Sequence, residues 1–166
     1  VWLEVQLQRA ISLAQRGQCP EAVSVADHLG TPATDLAFTQ DGLEPLLRSA
    51  RINYLLGGVY QTCNLPDKAQ AKFKQAAGES NLEDGVWSWK AAREIPGFQH
   101  DSGKQRLEDV LQRARSTSEI SSRTGWWLYN AAMLDRALGH AQQAEEEFHD
   151  ALLFPDQMLT YHLTRL

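Results

Sequence analysis

LLGGVYQTCNLPDKAQAKFKQAA, residues 55–77, places two adjacent glycines inside a segment whose apolar residues recur at helical spacing. Ile52, Leu55, Leu56, Val59, Tyr60 and Cys63 fall at offsets of three, four, seven, eight and eleven, one face of a helix from about Leu43 to Cys63. Each mid-helix glycine costs about 1 kcal/mol relative to alanine, so the pair needs a reason. Pro66 suits the first position of a second helix, and Ala69, Phe73, Ala76 and Ala77 line one of its faces. With only Asn-Leu-Pro between them, the two helices are predicted to be antiparallel neighbours. The stretch NAAMLDRALGHAQQAEEEFHDAL, residues 130–152, aligns with it and sets Ala69 on Ala144, Phe73 on Phe148, Ala76 on Ala151 and Asn64 on Gly139.

Working outward, the rest of the chain reads as helix too. Leu3, Leu7, Ala10, Ile11 and Ala14 form one face of an opening helix that Gly17 ends, and Cys19-Pro20-Glu21 starts a second that stops at Gly30. Residues Gly30 to Gly42 read as a loop, pinned by Leu36 and Phe38. Further helices are expected from about Leu82 to Glu94, from about Ser102 to Ser116 with Leu107, Val110, Leu111 and Ala114 inward, and in the two segments ending at Gly139 and Pro155. Residues 155–166 complete the pattern as a closing helix. No stretch alternates as a strand does, so the predicted class is all-α.

The best-matched unit resembles the tetratricopeptide repeat (TPR) family, whose pattern is W-x2-L-G-x2-Y in the first helix and A-x3-F-x2-A in the second. Leu56-Gly57 and Tyr60 match the former; Ala69, Phe73 and Ala76 match the latter, while Asn53 stands where the pattern has Trp. In the copy near the C-terminus Leu128 replaces the Trp, Ala131-Ala132 the Leu-Gly and Asp135 the Tyr, but Ala144, Phe148 and Ala151 are intact. The opening pair keeps small residues at Ala10 and Ala22, with Leu13 for the Tyr and Ala26 for the Phe; the pair from Leu82 to Ser116 has only helix-turn-helix form. The resemblance implies a single α-solenoid domain over residues 1–166, with units at about 1–29, 44–78, 82–118 and 124–154 and a closing helix at 155–166. Small residues at Gly57, Ala69 and Ala76 would then let backbones approach, with Tyr60 and Phe73 filling the space between helices.

In that family the first helices of successive units line a concave groove that binds peptides or partner proteins. The register would put Arg51, Tyr54, Gly58 and Gln61 in the groove from the well-matched unit, and Trp126, Tyr129, Met133 and Arg136 from the last. Gly58 would leave floor space, a role distinct from that of Gly57. Trp126 and Trp127 point about 100° apart on a helix, so one of them should face away from the core. Aromatic and Arg side chains dominate interface energetics, which favours a noncatalytic module binding a protein or peptide.

The other features narrow this without naming a partner. A formal charge of −5 and a pI near 5.5 argue against general polyanion binding. Lys104, Arg106, Arg113 and Arg115 are interrupted by Glu108 and Asp109 and read as a solvated face, so no nucleic-acid partner is expected. No apolar run approaches the roughly 18 residues of a membrane span, so no membrane partner is expected either. Cys19 and Cys63 are too few for a disulfide framework and read as small half-buried thiols near helix ends. Glu145 and His149 are four apart but lack a third ligand, and the remaining histidines are scattered. No nucleophile signature or phosphate loop occurs, so neither enzyme activity nor a cofactor or metal is expected. The chain reads as an excised piece of a longer protein, the cytoplasm being favoured as its compartment. A structural spacer or homo-oligomerising segment is the alternative to partner binding.

Overall fold

The computed structural model describes residues 2–31, 43–78, 84–98, 100–118 and 124–154, and among these residues every regular element is a helix. The helices are α1 (Trp2–Gln15), α2 (Cys19–Asp27), α3 (Glu44–Arg48), α4 (Ala50–Thr62), α5 (Pro66–Ala77), α6 (Gly85–Arg93), α7 (His100–Ser118), α8 (Thr124–Leu138) and α9 (Ala141–Leu152). The expected loop pinned by Leu36 and Phe38 and the closing helix at 155–166 lie outside the described residues. The chain divides into two compact units, residues 1–79 with 90–98 and residues 80–89 with 99–166.

One turn is built three times. At the end of α1 the left-handed Gly17 (φ 75°) donates its N–H to the Ala14 carbonyl, and Gln18 donates to Leu13 at 2.9 Å. At the end of α4 the left-handed residue is Asn64 (φ 56°), with Asn64 donating to Gln61 and Leu65 to Tyr60, again at 2.9 Å for the longer loop. At the end of α8 it is Gly139 (φ 90°), with Gly139 donating to Arg136 and His140 to Asp135 at 2.9 Å. These paired bonds satisfy carbonyls that a helix end leaves open, and glycine and asparagine are the residues that tolerate the backbone they need. In each case the next residue, Gln18, Leu65 or His140, is already the N-cap of the following helix. Its carbonyl takes the N–H of Ala22, Ala69 or Ala144 at 2.9, 3.0 or 3.0 Å respectively, within 0.1 Å of one another. Chain reversal within two or three residues forces α1 on α2, α4 on α5 and α8 on α9, three of the helix pairs in contact.

Close approach within the pairs requires small residues. A Cβ on Gly57 would stand 2.6 Å from Phe73 Cδ1 and 3.0 Å from Cζ, so the bare backbone of α4 receives the Phe73 ring of α5. Ala69 and Ala76 flank that ring on α5 and are buried, as are Ala144 and Ala151 on α9. In the second unit Gly85 meets α7 in the same way, with Val110 Cγ1 2.5 Å from where its Cβ would lie. The second core gathers Val86, Leu107, Leu111, Ala114, Trp127, Ala131 and Leu134.

Two expectations are corrected. The helix predicted from Leu43 to Cys63 breaks at Ser49, whose extended backbone (φ −49°, ψ 135°) separates α3 from α4. Asn53, fully buried, heals the break: its Nδ2 donates to the carbonyls of Leu47 (2.9 Å) and Ser49 (3.1 Å), and its Oδ1 accepts from Lys72 (3.1 Å). The residue that departs from the repeat pattern thus satisfies carbonyls that the break exposes. The cysteines are not free thiols either. Cys19, opening α2, and Cys63, capping α4, form a disulfide with Cα atoms 5.3 Å apart, because the turns that carry them lie side by side.

Two stability tests follow from these contacts. Nothing lies within 4 Å of a Cβ placed on Gly58, so Gly58→Ala should raise stability by up to about 1 kcal/mol. Gly57→Ala should lower it by about 1–3 kcal/mol through overpacking against Phe73, both measured by urea denaturation. Reduction of the disulfide, which joins residues 44 apart, should lower the unfolding free energy of the first unit by about 2–4 kcal/mol. Coincident denaturation curves for oxidised and reduced protein would contradict the second expectation.

Candidate interaction surfaces

Three of the four residues expected in the groove of the first unit do come together. Tyr54, Gly58 and Gln61 on α4 line an open depression of about 210 Å³, completed by Ile11, Ala14 and Gln15 of α1, by Leu55, Val59 and Thr62, by the edge of Phe73 and by Glu94 after α6. Its floor is open because Gly58 has no side chain. Tyr54 leans on Phe73 with ring centroids 5.9 Å apart, and burial together with the nearby Glu94 raises its hydroxyl pKa, so it presents a neutral phenol. The walls are aliphatic and aromatic, and the rim offers amide, hydroxyl and carboxylate groups.

Arg51 is not among the residues lining this depression. Its guanidinium grips the Glu4 carboxylate of α1 through two bonds, Nη1 to Oε2 at 2.8 Å and Nη2 to Oε1 at 2.7 Å, and so ties α1 to α4 beside the depression. This planar two-bond geometry holds register better than a single lysine contact. The bonds from Arg51 hold the Glu4 carboxyl below its ordinary pKa, outweighing burial.

A second tie crosses the same pair of helix hairpins. The Tyr60 hydroxyl donates to Asp27 Oδ1 at 2.7 Å, and Lys68 of α5 donates to both oxygens of Asp27 while its ammonium lies 5.3 Å from the Tyr60 ring centre. Lys68 first, and Tyr60 after it, keep the Asp27 carboxyl below its usual range.

In the second unit the expected set is divided by burial. Trp127 is core, and Trp126 is the half-buried member of the pair, stacked on Tyr129 with centroids 5.8 Å apart and planes 24° apart. Tyr129 is only 8% exposed, held between Trp126 and Phe148, which leaves little of it to meet a partner. Its 5.9 Å separation from Phe148 equals that of Tyr54 from Phe73, 75 residues earlier. Met133 packs half-buried against the core, and Arg136 is exposed.

The register of Tyr60 is taken here by Asp135, 0% exposed, and sequence reasoning missed what this does. Arg115 of α7 is drawn inward rather than left on a solvated face: Nη2 donates to Asp135 Oδ2 at 2.5 Å and Nε to Glu147 Oε1 at 2.9 Å. His140 Nδ1 lies 2.9 Å from Asp135 Oδ1. Four polar residues from α7, α8, α9 and a turn converge, a grouping that no local spacing reveals.

Other candidates stay apart. Glu145 and His149 lie with Gln142, Glu146 and Asp150 along one face of α9, and among the described residues no group of three or more His, Cys, Asp or Glu side chains could hold a metal ion. No described helix is long and apolar enough to cross a membrane. No family model matches the sequence, and no curated protein matches it.

The two carboxyls with depressed pKa values set a pH response for the first unit. The stability they contribute is present above their unfolded pKa values and lost as pH falls through the folded ones. Thermal melting followed by helix-hairpin hydrogen exchange should therefore show α1, α2 and α4 losing protection below about pH 4, and Arg51→Met should reduce that loss.

Proposed function

We propose that this chain is a noncatalytic interaction module of TPR-like helix pairs, and that the depression between α1 and α4 receives a side chain of a bound peptide. The depression carries the proposal. At about 210 Å³ it falls below the roughly 300–1,000 Å³ of small-ligand pockets and suits one large apolar side chain. Gln15, Gln61, Thr62 and Glu94 around it offer both donors and acceptors, as an extended peptide backbone requires. Tyr54 supplies a rigid amphipathic wall of the kind that anchors interfaces.

The repeat reading is supported by the thrice-built turn and by the matched Tyr-Phe contacts 75 residues apart. Within the first unit, contact between the first helices α1 and α4 is the neighbour relation such repeats use. In the second unit Trp126 and Arg136 are the exposed or half-exposed members of the corresponding face and form a second contact region under this reading.

The test selects peptides from a random-sequence display library on the oxidised chain and measures their dissociation constants. Tyr54→Ala and Gly58→Leu should each weaken the selected peptides about thirtyfold while circular dichroism stays unchanged. Peptides that bind Gly58→Leu as tightly as the parent chain, or a library that yields no binder, would contradict the proposal. Trp126→Ala reports separately on the second unit.

A further inference from the structure

The cluster around Asp135 has more buried carboxylate than cation. Asp135 is fully buried and Glu147 is 6% exposed, yet one guanidinium, Arg115, serves both. The charged groups that face Glu147 are Arg115 from α7 and Asp135 from α8; His140, in the turn joining α8 to α9, faces the far oxygen of Asp135. Glu147 Oε1 takes the Arg115 bond, whereas Oε2 is buried and meets no donor among the described residues. Two ionised carboxylates side by side can only accept, so a single proton is what converts their contact into a hydrogen bond.

We propose that Glu147 and Asp135 share a proton in the folded chain, so that the packing of α9 on α8 and α7 is a pH-responsive latch, closed in mild acid and loosened as pH rises through neutrality. With the proton in place the cluster holds one carboxylate against one guanidinium, and every buried oxygen in the contact has a partner. Without it, Glu147 is a second buried negative charge beside Asp135, and separating α9 relieves it. Burial first, and the contact with Asp135 against the opposing pull of Arg115, push the Glu147 pKa from its ordinary 4.5 up to about 7. The sign follows: stability contributed by a raised carboxyl is fully present below pH 4.5 and lost as pH rises through about 7. This is opposite to the response of the first unit.

The latch bears on the aromatic face of the same unit. Phe148 follows Glu147 on α9 and supports Tyr129, on which Trp126 stacks. Loosening α9 removes the support under Trp126, and four of the chain's five tryptophans, Trp87, Trp89, Trp126 and Trp127, lie in this unit and report it by fluorescence.

The test uses the whole oxidised chain. Carbon-13 NMR of the Glu147 side-chain carboxyl should give a titration midpoint near 7, and a midpoint near the ordinary 4.5 would overturn the proposal. Amide hydrogen exchange across α9, corrected for intrinsic base catalysis, should show its opening equilibrium rising about tenfold or more from pH 5 to pH 8. Glu147→Gln, which keeps a donor toward Asp135 at every pH, should abolish that rise, whereas His140→Gln should retain it. A rise that survives Glu147→Gln, or that disappears in His140→Gln, would place the responsive proton elsewhere and overturn the assignment. Should Glu147→Gln fail to fold, the wild-type titration and exchange measurements decide alone.

Discussion

The ring of Phe73 lies against the bare backbone of Gly57, and the first unit depends on that contact. An intervening methyl would drive α4 and α5 apart along the line where Ala69 and Ala76 bring them together. With the helices this close, Tyr54 reaches over the edge of Phe73, and the wall of the α1–α4 depression is set by an intrahairpin packing event. Gly58, one residue on, faces open space, and the same absence of a side chain has the opposite consequence there. One glycine admits a neighbour from within the fold; the other leaves room at its surface.

Around this contact, the same position in two hairpins is used for two chemistries. Tyr60 on α4 and Asp135 on α8 each face a helix earlier in the chain, α2 and α7 respectively, and the second helix of their own hairpin. Tyr60 does so as a donor to Asp27, with Lys68 completing the group at a partly exposed site. Asp135 does so as an acceptor from Arg115, with Glu147 beside it in a buried site. Exposure decides the difference: water screens the first group and leaves it a modest clamp, whereas the second must balance its charge internally. The two units therefore respond to acid in opposite directions, although their backbone turns are alike.

Helix placement was legible because it rests on local information: apolar residues at a 3.6-residue period, and a glycine or asparagine where the chain must turn left-handed. The separate roles of Gly57 and Gly58 were legible for the same reason, since spacing to Phe73 singles out only one of them. The break at Ser49 was hidden because Ile52, Leu55 and Leu56 continue the helical period beyond it and its repair depends on Asn53 folding back. The disulfide was hidden because Cys19 and Cys63 become neighbours only when two turns stack. Arg115 looked like one basic residue among several, and nothing in its vicinity shows the buried carboxylates that α8 and α9 bring to it. The place of Tyr129 under Trp126 likewise depends on Phe148 arriving from the next helix.

The central claim is that the hairpins α4–α5 and α8–α9 are one construction repeated 75 residues apart. Nuclear Overhauser contacts in the isotopically labelled chain test it most directly. The account predicts cross-peaks from Gly57 Hα to the Phe73 ring, from Tyr54 to Phe73 and from Tyr129 to Phe148, with Gly57 Hα moved from its random-coil shift by the ring current. A Gly57 Hα at its random-coil position without contact to Phe73, or a Tyr129 ring in contact with residues other than Phe148, would show that the two hairpins are not built alike.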